Sequence, residues 1–187
     1  MRLSPTLTTL LLAAVLAIGG CTPAAAPPAS SRAPTATAAR REAPISRTGM
    51  LIRRPPAEVF RAFVDPAVTT RFWFTKSTGA LTKGARVRWE WEMHGVSADL
   101  VVEELEENRR IVIAWGTTVE LRFVPWEGNT FVQVTERGFE GTDDEKVALA
   151  MDSVAGFSLV LANVKALLEH GVVLTTVLDG KPKGLRL

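Results

Sequence analysis

The 187-residue sequence predicts an α+β domain in which a curved antiparallel sheet wraps one long C-terminal helix, with two short helices after the first strand. Three observations carry this reading. Arg86 to Met93 (RVRWEWEM) alternates strictly, so Val87, Trp89, Trp91 and Met93 share one face and the charges share the other, the period of a half-buried strand. Short runs of the same kind follow at spacings that suit antiparallel neighbours. The last apolar run, from Thr142 to Gly171, has helical period and a stop signal at each end.

In chain order, a strand is expected around Arg47 to Arg53. Pro55-Pro56-Ala57-Glu58 then starts a helix, since proline suits the first turn, and Val59, Phe60, Phe63 and Val64 fall on one side. Asp65-Pro66 ends that helix and starts a shorter one, which finishes in Arg71-Phe72-Trp73-Phe74. Lys83-Gly84 reads as a turn before the alternating strand. Further strands are expected at Ser97 to Leu105, Arg110 to Trp115, Val119 to Pro125 and Thr130 to Phe139, separated by Glu107-Asn108, Gly116 and Glu127-Gly128-Asn129. Thr142-Asp143-Asp144-Glu145 is a capping box with acids at the positive end of the helix dipole, and Gly171 follows His170 as a C-terminal stop. Between these ends Val147, Met151, Val154, Phe157 or Ser158, Leu161, Val164 and Leu168 recur at three- and four-residue steps. A helix of ~26 residues spans ~39 Å, enough to cross such a sheet.

The region before the domain has a different character. Arg2 precedes an apolar stretch, Leu10 to Gly20, about half the ~20 residues a membrane-spanning helix needs. It closes in Leu16-Ala17-Ile18-Gly19-Gly20-Cys21, with the sole cysteine of the chain. This run resembles a bacterial lipoprotein signal, which implies cleavage before Cys21, lipidation of Cys21 and a membrane anchor. A lone thiol with no disulfide partner suits that role in an exported chain. From Thr22 to Ser46 the composition is Ala, Pro, Ser, Thr and Arg, too poor in large apolar groups to build a core, so it reads as a tether. The expected organisation is therefore signal peptide 1–20, lipidated cysteine and tether 21–46, folded domain 47–173 and extension 174–187. Thr22, rather than Asp, follows the cysteine, which favours an outer-membrane anchor facing the periplasm in a two-membrane host.

The formal net charge of +2 belongs to the leader and tether. With Arg2, Arg32, Arg40, Arg41, Arg47 and Glu42 set aside, 17 basic residues face 19 acidic ones. A slightly acidic domain argues against nucleic acid as a partner.

A specific resemblance rests on Pro55-Pro56-Ala57-Glu58-Val59-Phe60-Arg61-Ala62-Phe63, Arg71-Phe72-Trp73, the Gly84 to Glu92 strand, Thr135-Glu136-Arg137-Gly138-Phe139 and the ending Gly156 to Gly171. Together they resemble the AHSA-type (activator of heat-shock-protein ATPase homologue-like) branch of the START-like SRPBCC superfamily, over about Arg47 to Val173. The resemblance implies the helix-grip fold, with a mainly apolar cavity between sheet and long helix, and binding of a hydrophobic or amphipathic small molecule or lipid by a monomer. The cavity wall would come from Trp89, Trp91, Met93, Trp115, Val132 and Val134, closed by Phe72, Trp73, Phe157 and Leu161. Trp89 and Trp91 are the foremost candidates, because two neighbouring inward indoles suit a concave surface. Glu136 shares the parity of Val132 and Val134 and could fix a ligand hydroxyl or amine at the cavity mouth. Asp99 and His94 are the remaining polar candidates, with solvated or turn positions as their ordinary alternative.

Little in the chain reads as catalysis. It lacks a nucleophile elbow, a phosphate-cradling glycine loop and metal-ligand spacing, and its two histidines, His94 and His170, lie on different elements. No cofactor or metal is expected. The nearest enzymatic alternative is acid–base work by Glu136 or Asp99 with His94. A third class is an interaction module that binds another envelope protein through a sheet edge or through the aromatic run Arg71 to Phe74.

Overall fold

The alternation in the middle of the chain produces a seven-stranded sheet. The computed structural model describes residues 42–182, 184 and 185, which belong to one compact unit, Arg40–Leu187. The expected signal peptide, Cys21 and most of the expected tether lie outside the described residues. The strands are β1 (Ser46–Ile52), β2 (Lys76–Ser77), β3 (Arg86–Trp91), β4 (Val96–Glu106), β5 (Arg110–Ala114), β6 (Thr118–Trp126) and β7 (Asn129–Arg137). Their order is β1-β7-β6-β5-β4-β3-β2, every pair antiparallel. A meander therefore runs from β2 to β7, and β1 adds itself to the far edge. The register shift between Val102 and Glu104 on β4 bends the sheet, as a bulge does.

Two helices, α1 (Pro56–Val64) and α2 (Pro66–Thr69), carry the chain from β1 back toward β2. Asp65 separates them because its side chain accepts from the Ala67 N–H, capping α2 where Pro66 can donate nothing. Phe60 and Phe63 bury against Phe123 of β6, ring centroids 5.2 and 5.5 Å away, so α1 seals one end of the concave face. The aromatic run that follows is core: Phe72, Trp73 and Phe74 are all buried. This removes it as an exposed contact patch.

Helix α3 (Asp143–His170) carries the expected capping box, Thr142 with Glu145, and ends at Gly171, whose φ of 69° is the left-handed cap that glycine adopts without strain. It follows β1: Ser153 meets Ser46 at 2.7 Å, Ser158 meets Thr48 at 3.0 Å, and the Lys165 ammonium reaches the Leu51 carbonyl at 2.8 Å. Phe157, Leu161 and Val164 bury as their period demands. Val147, Met151 and Val154 do not; Met151 is 69% exposed. The sheet explains Val147 and Met151, because β1 begins at Ser46, opposite Ser153, and both residues precede Ser153 on α3. Past Gly171 the chain returns as α4 (Thr176–Asp179), which packs on α3.

Candidate functional site

A cavity of about 940 Å³ opens between the sheet's inner face, the first half of α3 and the tail beyond Val173. That volume is at the upper end of the ~300–1,000 Å³ typical of small-molecule sites. Its aromatic wall is one contiguous cluster. Trp115, just past the end of β5, lies 6.2 Å from Trp91 and 6.2 Å from Trp73, and is stacked at 28° on Phe157 of α3. Trp73 in turn meets Phe157 edge-on at 5.7 Å.

Glu136 is the polar centre. Residues of β7 alternate, so Glu136 follows Val132 and Val134 to the inner face, and it is only 6% exposed. Its Oε1 accepts from the Trp115 Nε1–H at 3.1 Å and from the Thr117 hydroxyl, and its Oε2 accepts from the Ser153 hydroxyl at 2.5 Å. Ser153 has one proton and uses it here, so Ser46 donates to Ser153 in turn. A loop and a helix thus converge on this carboxylate of β7, with Ser46 of β1 behind Ser153. After Arg137, Gly138 takes φ 91° and swings Phe139 into the lining.

The tail forms the opposite wall through Val177, Gly180 and Lys181. Polar contacts to the β3–β4 turn and to α3 tie it down. His94 Nε2–H donates to the Val177 carbonyl at 3.2 Å, a partner that requires the proton on that nitrogen. Lys181 pairs with Asp152 of α3 at 2.7 Å. The Thr176 hydroxyl donates to Asn163 Oδ1 at 2.5 Å, while the Asn163 amide donates to the Phe72 carbonyl at 3.0 Å.

The residues read from sequence divide accordingly. Trp73, Trp91, Trp115, Glu136 and Phe157 all line the cavity, and His94 does too. Trp89, only 1% exposed, lies behind them, stacked on Phe74 at 4.3 Å and 4.8 Å from Trp73; Val134 and Leu161 are likewise packed in the core. Met93 is off the sheet, because β3 stops at Trp91 and Glu92 to Gly95 turn the chain back. Asp99 is on the outer face, its side chain 76% exposed and paired with Arg88 at 3.0 Å. Sequence reasoning missed Thr117, Ser153 and the whole tail. Ser153 had a signal, since it precedes Phe157 and Leu161 by one and two helical steps and so puts a hydroxyl on the buried stripe. Among the described residues, no group of three or more His, Asp or Glu is placed to hold a metal.

The family model described as Activator of Hsp90 ATPase homolog 1-like protein matches residues 53–169, from the end of β1 to the end of α3. The chain belongs to that family. No curated protein matches it. Among solved structures, this AHSA1-like chain is similar to SSP2350 of Staphylococcus saprophyticus, at 29% identity and TM-score 0.63, over 70% of this chain and 95% of that one. It is also similar to MLL2253 of Mesorhizobium loti, at 17% identity and TM-score 0.62, over 69% and 99%. A third is the Aha1 dimer of Colwellia psychrerythraea, at 19% identity and TM-score 0.60, over 68% and 97%. The last two likenesses show the fold alone. Since the matched part is nearly the whole of each of these proteins, the AHSA1-like fold stands as an independent chain. The tail lies beyond the residues that the family model matches, so one wall of this cavity is built outside the matched region.

Proposed function

We propose that this protein is an envelope-anchored lipoprotein whose AHSA1-like domain binds one hydrophobic or amphipathic small molecule between the sheet, α3 and the tail. The anchor rests on the Ile18-Gly19-Gly20-Cys21 run and the tether behind it. The observation that carries the binding reading is the cavity itself. A core of this size normally closes over its aromatic rings, yet Trp73, Trp91, Trp115 and Phe157 stand around about 940 Å³ of space, with the buried Glu136 carboxylate in the same lining. Binding, with no chemistry, is what such a wall suits.

The alternative, a protein-interaction module, keeps one supporting observation: Val147, Met151 and Val154 are exposed on the first half of α3. Its other routes are poor. The β2 edge is two residues long, and the β1 edge has its Leu51 carbonyl taken by Lys165 and the adjacent Arg53 N–H by Glu169.

Native mass spectrometry of residues 40–187, purified from extract of the protein's own envelope, tests the reading. One apolar or amphipathic molecule per chain is expected, lost in Trp91→Ala and kept in Trp126→Ala, because Trp126 is exposed at the far end of β6. An empty domain that retains an envelope protein would replace this reading with the interaction module.

A further inference from the structure

The fold withdraws two other carboxylates from solvent, and each has cations. Glu120 on the outer sheet face is ringed by Arg110, Arg122 and Arg137. Burial opposes its ionisation, but hydrogen bonding and the charges of Arg122 and Arg110 outweigh that and hold it below the usual carboxylate range. Glu169 at the end of α3 has Lys165 at 2.5 Å and Arg53 at 3.6 Å. Glu136 differs. Among the described residues no Lys, Arg or His comes within ion-pair distance of it, and its partners are the neutral donors Trp115, Thr117 and Ser153. A buried carboxylate without a counter-charge is costly, and chains normally supply one.

The rest of the lining has the same bias. Glu140 and Asp152 are the other carboxylates, Lys181 is the one ammonium, and Lys181 is committed to Asp152. Three hydrogen bonds leave Glu136 with acceptor capacity on Oε2, which takes only one of them. Trp115 presents its N–H edge to Glu136, and Trp91 lines the same cavity, so the apolar wall adjoins the carboxylate.

We propose that the missing counter-charge is brought by the ligand: the cavity takes an amphipathic amine, whose ammonium pairs with Glu136 beside the indoles and whose apolar body fills the space toward α3 and the tail. This rests on the cavity being a binding site, and names the class of molecule it selects. A carboxylate or phosphate headgroup would meet Glu136 as a like charge and be rejected.

Three probes of equal chain length separate the two claims. Decylamine, decanol and decanoate are titrated into residues 40–187 at pH 7, followed by quenching of tryptophan fluorescence and by calorimetry. Decylamine is expected to bind at least about tenfold more tightly than decanol, the gain of a charge-assisted hydrogen bond over a neutral one, with decanoate weakest. Glu136→Gln should erase the amine preference, so that decylamine binds no more tightly than decanol. Decanol binding as tightly as decylamine, or an amine preference that survives Glu136→Gln, overturns the amine assignment while leaving the cavity reading in place. Failure of all three probes to bind overturns both. The ranking on the unsubstituted domain decides the matter even if Glu136→Gln fails to fold.

Discussion

Asn163 is the sharpest place to test how the cavity is held together. Its side chain is buried on α3, with the amide donating to the Phe72 carbonyl at 3.0 Å and Oδ1 accepting from Thr176 at 2.5 Å. One residue thus bolts the aromatic connector on one side and the tail on the other. Asn163→Ala removes two hydrogen bonds worth about 1 kcal/mol each and leaves the Phe72 carbonyl buried without a donor, a further ~1–2 kcal/mol. The expected loss is about 3–4 kcal/mol, or a fall in Tm of roughly 12–16 °C at ~4 °C per kcal/mol for a domain near this size. Thr176→Val breaks only the tail contact and should cost about 1 kcal/mol. Asn163→Asp should be worse than Ala, because it keeps the acceptor for Thr176 but turns a carboxylate on the Phe72 carbonyl. Thermal melts followed by circular dichroism, with the double variant closing a cycle, give the coupling between Asn163 and Thr176, expected near 1 kcal/mol. If Asn163→Ala melted within about 2 °C of the parent, or Thr176→Val cost as much, the bolt would not exist as described.

Two further outcomes are expected. Burial raises the Glu169 carboxyl, but the Arg53 N–H, Lys165 and the Arg53 charge outweigh that and hold it below its ordinary value. A depressed folded-state value stabilises above the unfolded value of about 4.3 and loses that stabilisation as pH falls through the folded one, so the stability gap between parent and Glu169→Gln should be full at pH 7 and close below about pH 4. Urea unfolding at several pH values checks this, and a pH-independent gap would refute it. Cells fed an alkyne-tagged fatty acid should label the parent protein and leave Cys21→Ser unlabelled, with melting of the domain unchanged; label retained in Cys21→Ser would remove the lipoprotein reading.

How far sequence reaches into this fold depends on whether a signal is local. The capping box at Thr142 and the glycine stop at Gly171 are local, and they bound α3 within a residue. Parity is local too, and it carried Glu136 to the inner face behind Val132 and Val134. Parity gives a face and no depth. Trp89 and Trp91 share a face, yet Trp73 and Phe74 pack over Trp89, and Trp91, two residues nearer the strand end, stays on the cavity wall. Met93 has the right parity for a strand that has already ended, since nothing in the alternation says where the chain turns. The period of α3 likewise continues through Val147 and Met151, where no sheet lies beneath. Strand β2 has two residues and α4 has four, too few for any period to register.

The tail is the case where locality fails altogether, and it bears on what the cavity can select. Its anchors, His94, Asp152 and Asn163, lie on a turn and on α3, between 13 and 83 residues away in sequence. No window of sequence contains both ends of such a contact. The family model stops at Glu169, so the aromatic wall and Glu136 fall within the shared region while Val177, Gly180 and Lys181 fall outside it. Lys181 sits on Asp152 and so neutralises the carboxylate across the cavity from the sheet, while Glu136 is left without a cation. The tail therefore does more than cover the opening. By pairing Asp152 and not Glu136, it leaves the one buried carboxylate of the lining without a cation, and a cationic headgroup seated away from Glu136 would lose that partner.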